Sequence, residues 1–256
     1  MNRSATKPSV SFVVPALNEE GNIRAAVDSI RTAIANRLDD YEVILVNDGS
    51  TDRTGAVMEE LAAASDKIRV VHNSTNLGFG GAFKRGAAEA RKDYVVRICG
   101  DNAVPAPGIG LVLDQIGRAD LVIPYIANPE EFRSWGRRLG SRAFTTIINA
   151  CFGLSVHYYN HCVVFPRNLL TSITIGTDSF AYQAEAVVKL LKAGCTYVEV
   201  GVHDLPRFQG ESTALKPKNV LNVVRAIFSL IREVRRKGAI PVVSRQPSAA
   251  TSRQNP

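Results

Sequence analysis

The chain has 256 residues, 45% of them hydrophobic and 21% charged, which excludes wholesale disorder and fits one domain of ordinary size. Lys and Arg number 31 against 24 Asp and Glu, a net charge of +7 that favours an anionic partner such as a phosphate, a nucleic acid or a lipid headgroup. The four cysteines contain no CxxC pair, which argues against a zinc knuckle or a disulfide framework and makes a reducing cytosol the expectation.

The first residues, MNRSATKPSV, lack the apolar stretch of a signal peptide, and no run of 18 apolar residues occurs. Val10–Val14 reads as a buried strand ended by Pro15, and residues 21–35 as a helix striped by Ile23, Val27, Ile30 and Ile34. Tyr41–Val46 is a second strand closed by Asp48-Gly49-Ser50. A helix over 51–64, a strand over 68–72, a glycine-rich loop over 73–81, a helix over 82–91 and a strand over 94–99 follow. The pattern repeats once more with a helix over 107–116 and a strand over 121–124. Such alternation predicts a mostly parallel sheet with helices on both faces, and ligands then sit at the carboxyl ends of the strands. Three polar clusters fall at those ends: Asn18-Glu19-Glu20, Asn47-Asp48-Gly49-Ser50 and Gly100-Asp101-Asn102. Each alone could be a helix cap.

The second half is less regular. Residues 131–152 read as one long helix carrying Arg133, Arg137, Arg138 and Arg142, 156–165 as strand, 179–193 as helix and 196–200 as strand. Pro217–Arg236 reads as a C-terminal amphipathic helix, with Val220, Val223, Val224, Ile227, Leu230, Ile231 and Val234 to one side. Residues 1–8 and 238–256 are expected to be disordered tails.

FVVPALNEE at 12–20, VNDGSTDRT at 46–54 and NLGFGGAFKRG at 76–86 together resemble the family 2 glycosyltransferases of the GT-A fold. Among these, the chain is most similar to dolichol- and polyprenyl-phosphate sugar synthases, whose late Arg…Gly-x-Ser pattern is matched by Arg207-Phe208-Gln209-Gly210-Glu211-Ser212. The resemblance implies an α/β, Rossmann-like GT-A domain with a nucleotide-sugar-binding half at 9–125 and an acceptor half at 126–237. It implies that Pro15, Leu17, Asn18, Glu19, Asp48, Gly49, Gly78, Gly80, Asp101 and Asn102 bind the nucleotide sugar. Asp101 would also hold Mg²⁺ or Mn²⁺, which offsets the charge developing on a departing diphosphate. Asp101, Glu185 and Arg207 are the candidate catalytic residues.

Two positions depart from the family pattern. Cys99 stands where the first Asp of the metal-binding motif is expected, and Ala103 where a Gln is common. The metal is therefore expected to be weakly held, with Asn102 or His203 assisting. Arg133, Arg137, Arg142, Arg207 and Ser212 are the candidate acceptor-phosphate residues, since Arg forks match phosphate oxygens; Arg138 and Lys216 could join them. A solvated face is the plain alternative for that arginine-rich helix. His157, Tyr158, Tyr159, Asn160 and His161 read as hydrogen-bonded packing rather than a metal site, and Asp178 as a helix cap. The basic outer face of the last helix fits either core packing or attachment to anionic lipid.

The expected activity is inverting transfer of a sugar from a nucleotide diphosphate sugar to polyprenyl phosphate, at the cytosolic face of a membrane. A membrane-protein partner or a homo-oligomer is possible on this reading, and a nucleic-acid partner is not expected. The alternatives are transfer to a saccharide hydroxyl, which needs a carboxylate base, and a catalytically weakened nucleotide-sugar-binding subunit.

Overall fold

A computed structural model describes residues 7–35, 37–38, 40–206 and 217–237. In chain order the first half is β1 (Ser9–Ala16), α1 (Ile23–Ile34), β2 (Asp40–Asn47), α2 (Thr54–Ala63), β3 (Ile68–His72), α3 (Gly78–Ala88), β4 (Tyr94–Arg97), α4 (Ala106–Leu113) and β5 (Leu121–Ile126). The second half is α5 (Pro129–Phe132), α6 (Trp135–Phe152), β6 (Val164–Pro166), α7 (Arg167–Ser172), α8 (Tyr182–Lys192), β7 (Tyr197–Val202) and α9 (Pro217–Lys237). The tails expected beyond residue 237 and before residue 7 lie outside the described residues.

The strands form one seven-stranded sheet in the order β3-β2-β1-β4-β6-β5-β7. All neighbours run parallel except β6, which is antiparallel to both β4 and β5. Strands buried on both faces read as continuous apolar runs, and here alternate residues feed two separate cores. Val13, Ile44, Val46 and Val95 pack towards α3 and α8, whereas Phe12, Val14, Leu45 and Val96 pack towards α1, α2 and α4. β1 runs one turn of the pleat past its expected end, through Pro15. The ladder with β4 has stopped at Val13, so the missing proline N–H costs no strand pairing. From β1 the chain winds outward through β2 and β3, then returns to place β4 on the other side of β1. The crevice above β1 and β4 is therefore the switch point of the sheet, where ligands gather in such folds.

Three sequence expectations need correction. The helix expected over 131–152 is broken: Arg133 and Ser134 take extended backbone between α5 and α6, and the Arg133 side chain crosses to the Tyr158 hydroxyl at 3.1 Å. The strand expected over 156–165 shrinks to Val164–Pro166. The carbonyls of Tyr159, Asn160 and His161 serve the buried side chains of Arg97 and Gln183 instead of a ladder. The helix expected from residue 82 begins at Gly78, since the Asp48 carboxylate just past β2 accepts the Leu77 and Gly78 N–H groups and caps it from a distance.

Candidate active site

The three polar clusters do converge. Pro15, Leu17, Glu19, Asp48, Gly78, Cys99, Asp101 and Glu185 line one cleft of about 990 Å³ at the carboxyl ends of β1, β2 and β4. Asp48 is 4% exposed, and its oxygens also accept from Asn73 Nδ2 at 2.9 Å, so it holds the 73–78 loop against β2. Gly49 belongs to the wall behind the cleft: at φ +73° a Cβ would stand 2.9 Å from the Asn76 nitrogen. Gly80 packs similarly. Its N–H donates to the Asp178 carbonyl at 2.9 Å, and a Cβ there would meet Tyr182 Cβ at 2.8 Å.

Two of the expected nucleotide residues turn away from the cleft. Asn18, in the left-handed region at φ 55°, accepts from the Thr51 N–H at 2.8 Å and ties the first two turns together. Asn102, at φ 53°, accepts from the Ser29 hydroxyl at 2.9 Å and faces α1. That turn leaves Asp101 facing the cleft, 5% exposed, with Oδ1 accepting the Ala103 N–H at 3.2 Å.

Beneath Asp101 lies Arg97, which the sequence reading passed over inside an apolar strand. It is 4% exposed; Nη1 donates to Cys99 Sγ at 2.7 Å and Nε to Gln183 at 3.2 Å, and the guanidinium covers the Phe79 ring at 4.8 Å. Burial opposes its charge, but Cys99, Tyr182, Cys162 and Asp101 outweigh that and raise its pKa. A lone Arg in an apolar strand that ends at a site was the signal available. Among the described residues no group of three or more His, Cys, Asp or Glu side chains could hold a metal by itself. The residues do fit an ion that takes few protein ligands: Asp101 offers a carboxylate inside the cleft, and Mg²⁺ completes its shell with waters and phosphate oxygens. His203 is exposed and does not line the cleft.

Glu185 sits within the cleft with its oxygens already engaged, accepting from the Gly176 N–H at 2.8 Å, the Thr177 N–H at 3.2 Å and the Lys189 ammonium at 2.7 Å. Asp178 precedes α8 instead of capping it directly, and pairs with Lys84 at 2.7 Å. Arg133, Arg137, Arg138 and Arg142 do not line the cleft; Arg138 and Arg142 face Glu130 at 3.5 and 3.9 Å. Arg207, Ser212 and Lys216 lie outside the described residues. The polar aromatic patch is hydrogen-bonded packing: the Tyr159 hydroxyl donates to Asn149 at 2.7 Å, and His161 Nε2 meets Asp204 at 2.9 Å. Sequence reasoning also missed the cleft's last wall. α9 packs on α8 and α6 and brings Lys218, Asn222, Arg225 and Ser229 to the cleft.

Comparison with known proteins gives the same frame. The chain is 31% identical over 157 residues to a dolichyl-phosphate β-glucosyltransferase of Trichomonas vaginalis, covering 58% of this chain and 46% of that protein. It is 27% identical over 234 residues to an undecaprenyl-phosphate 4-deoxy-4-formamido-L-arabinose transferase of Pseudomonas fluorescens, covering 87% and 63%. It spans 27% of the length of another relative, an uncharacterized glycosyltransferase, EpsJ, of Bacillus subtilis. The fold is shared with glucosyl-3-phosphoglycerate synthase of Mycobacterium tuberculosis, solved with phosphoglyceric acid: TM-score 0.65 at 23% identity, over 88% of this chain and 80% of that one. The same enzyme has been solved with Mn²⁺ and uridine diphosphate. Residues 11–174 match the family described as glycosyl transferase family 2, and the chain belongs to that family.

Proposed function

We propose that this domain transfers a sugar from a nucleotide diphosphate sugar to polyprenyl phosphate, with inversion, at a membrane surface. The observation that carries the reading is that Asp48 and Asp101, from separate strand-to-helix turns, open onto one cleft. Asp48 sets the loop against which the base would lie, and Asp101 faces the diphosphate. A divalent cation bound at Asp101 would offset the leaving group's charge. An acceptor phosphate oxygen attacks the anomeric carbon; the bond to the diphosphate breaks, and the nucleoside diphosphate leaves with the electron pair. Such an acceptor is already a nucleophile. The engagement of Glu185 by two N–H groups and Lys189 suits a carboxylate that positions the 176–177 loop, and a hydroxyl acceptor would ask it to take a proton as well.

Two relatives are named for dolichyl and undecaprenyl phosphate acceptors. Membrane attachment is supported by apolar side chains on outer helix faces: Trp135, Leu139 and Ile147 of α6, and Leu221, Val224 and Phe228 of α9, the last with Arg232, Arg235 and Arg236 exposed nearby in sequence. No described helix is long and apolar enough to cross a membrane. A second reading, transfer to a small soluble phosphorylated acceptor, is favoured by the structural neighbour bound to phosphoglyceric acid. Release of nucleoside diphosphate from a panel of UDP- and GDP-sugars, with polyprenyl phosphate, phosphoglycerate or no acceptor, tests both. Release only with polyprenyl phosphate is expected. Release only with phosphoglycerate selects the second reading, and no release with any donor overturns both.

A further inference from the structure

The cleft is rich in acids, and the cations packed behind it are engaged by partners. Asp178 is met by Lys84 at 2.7 Å, and Glu185 and Glu233 share the buried Lys189 at 2.7 and 2.8 Å. Arg97 spends its donors beneath the cleft floor. Of the described residues that line the cleft, the cations are Lys218 and Arg225, both on α9. Neither has a hydrogen bond or ion pair among the described residues, and both are exposed to solvent. Seven residues apart, they stand two helical turns from each other with Asn222 between them, all on the side of α9 that lines the cleft. The later turns of the helix are anchored: Leu230 is buried in the core and Glu233 is tied to Lys189. Two cations without partners among the described residues, on a helix facing a polar cleft, are placed for an oxyanion, and the Arg fork matches phosphate oxygens.

We propose that Lys218 and Arg225, with Asn222, form an oxyanion clamp that holds a phosphate group of a substrate in this cleft. The proposal rests on the reading that the cleft takes phosphorylated substrates. The phosphate is either part of the donor's diphosphate or the acceptor's own.

Equilibrium titration of the full chain separates these sources. The probes are UDP, GDP, pyrophosphate and farnesyl phosphate, with Mg²⁺ and again with EDTA. The variants are Lys218→Gln, Arg225→Gln, Arg225→Lys and the double glutamine. The replaced heads are solvent-exposed, so unchanged melting temperatures are expected and confirm folding. The double variant is expected to lose at least about tenfold in affinity for pyrophosphate and a nucleoside diphosphate, or for farnesyl phosphate, with a flatter salt dependence. Arg225→Lys should recover part of the loss. The first pattern assigns the clamp to the donor and the second to the acceptor. Affinities for all four probes within twofold of wild type overturn the clamp, as does a wild-type chain that binds none of them. A wild-type chain that binds pyrophosphate but neither UDP nor GDP overturns the nucleotide reading and leaves the clamp standing.

Discussion

His161 gives a stability test whose sign and size both follow from geometry. The imidazole is 4% exposed; Nε2 meets Asp204 at 2.9 Å and Nδ1 meets Cys162 Sγ at 3.0 Å. Burial alone would lower its pKa, but the Cys162 thiol and the Asp204 carboxylate raise it from 6.5 to about 10. A folded-state pKa above the unfolded one means that folding favours the proton. The stabilisation is fully present below pH 6.5 and is lost as pH climbs to 10. At about 1.4 kcal/mol per pH unit, its ceiling is on the order of 5 kcal/mol, near the 3–5 kcal/mol typical of breaking one partner of a buried pair. The effect reaches the cleft rim, because Asn128 brackets the Asp204 backbone and the neighbouring Leu205 N–H donates to the Ala103 carbonyl. Urea unfolding of wild type and His161→Gln at intervals between pH 6 and 10 measures it. The stability gap should be roughly 3–5 kcal/mol at pH 6 and shrink by at least about 2 kcal/mol by pH 10. A gap independent of pH would refute the claim that a charged imidazole holds this pair.

Asp101→Asn keeps the Ala103 hydrogen bond and removes the charge, so turnover should fall at least about a hundredfold while the melting temperature holds; full activity would remove Asp101 from the chemistry. Gly80→Val drives side-chain carbon into the Asp178 backbone and Tyr182, and denaturant titration should show a loss of about 1–3 kcal/mol. Trp135→Ser with Phe228→Ser removes two large exposed apolar groups, 71% and 62% accessible. Co-sedimentation with phosphatidylglycerol vesicles should drop at least about tenfold, and undiminished binding would place attachment elsewhere.

Much of the site was legible because its signals are local. Pro15, Leu17, Glu19, Asp48, Gly78 and Asp101 each sit at a strand end marked by turn chemistry, and the structure brings all six to one cleft. Asn18 and Asn102 share those turns yet face Thr51 and Ser29, since one residue in the left-handed region reverses where its side chain points. The sequence places Arg133, Arg137, Arg138 and Arg142 on one long helix, but Arg133 lies in the break before α6 and its side chain donates to the Tyr158 hydroxyl. No local pattern announces that contact, because its partner lies 25 residues away.

By itself the sequence settled the alternation of strands and helices and the three polar turns, because hydrophobic period and turn preference act over a few residues. Only the tertiary structure decided which cations are engaged among the described residues. Lys84, Lys189 and Arg97 are consumed by partners distant in sequence, while α9, read as an outer amphipathic helix, closes over the cleft and brings Lys218 and Arg225 to it. Charge balance is a property of what meets in space, and a chain read residue by residue holds no record of it.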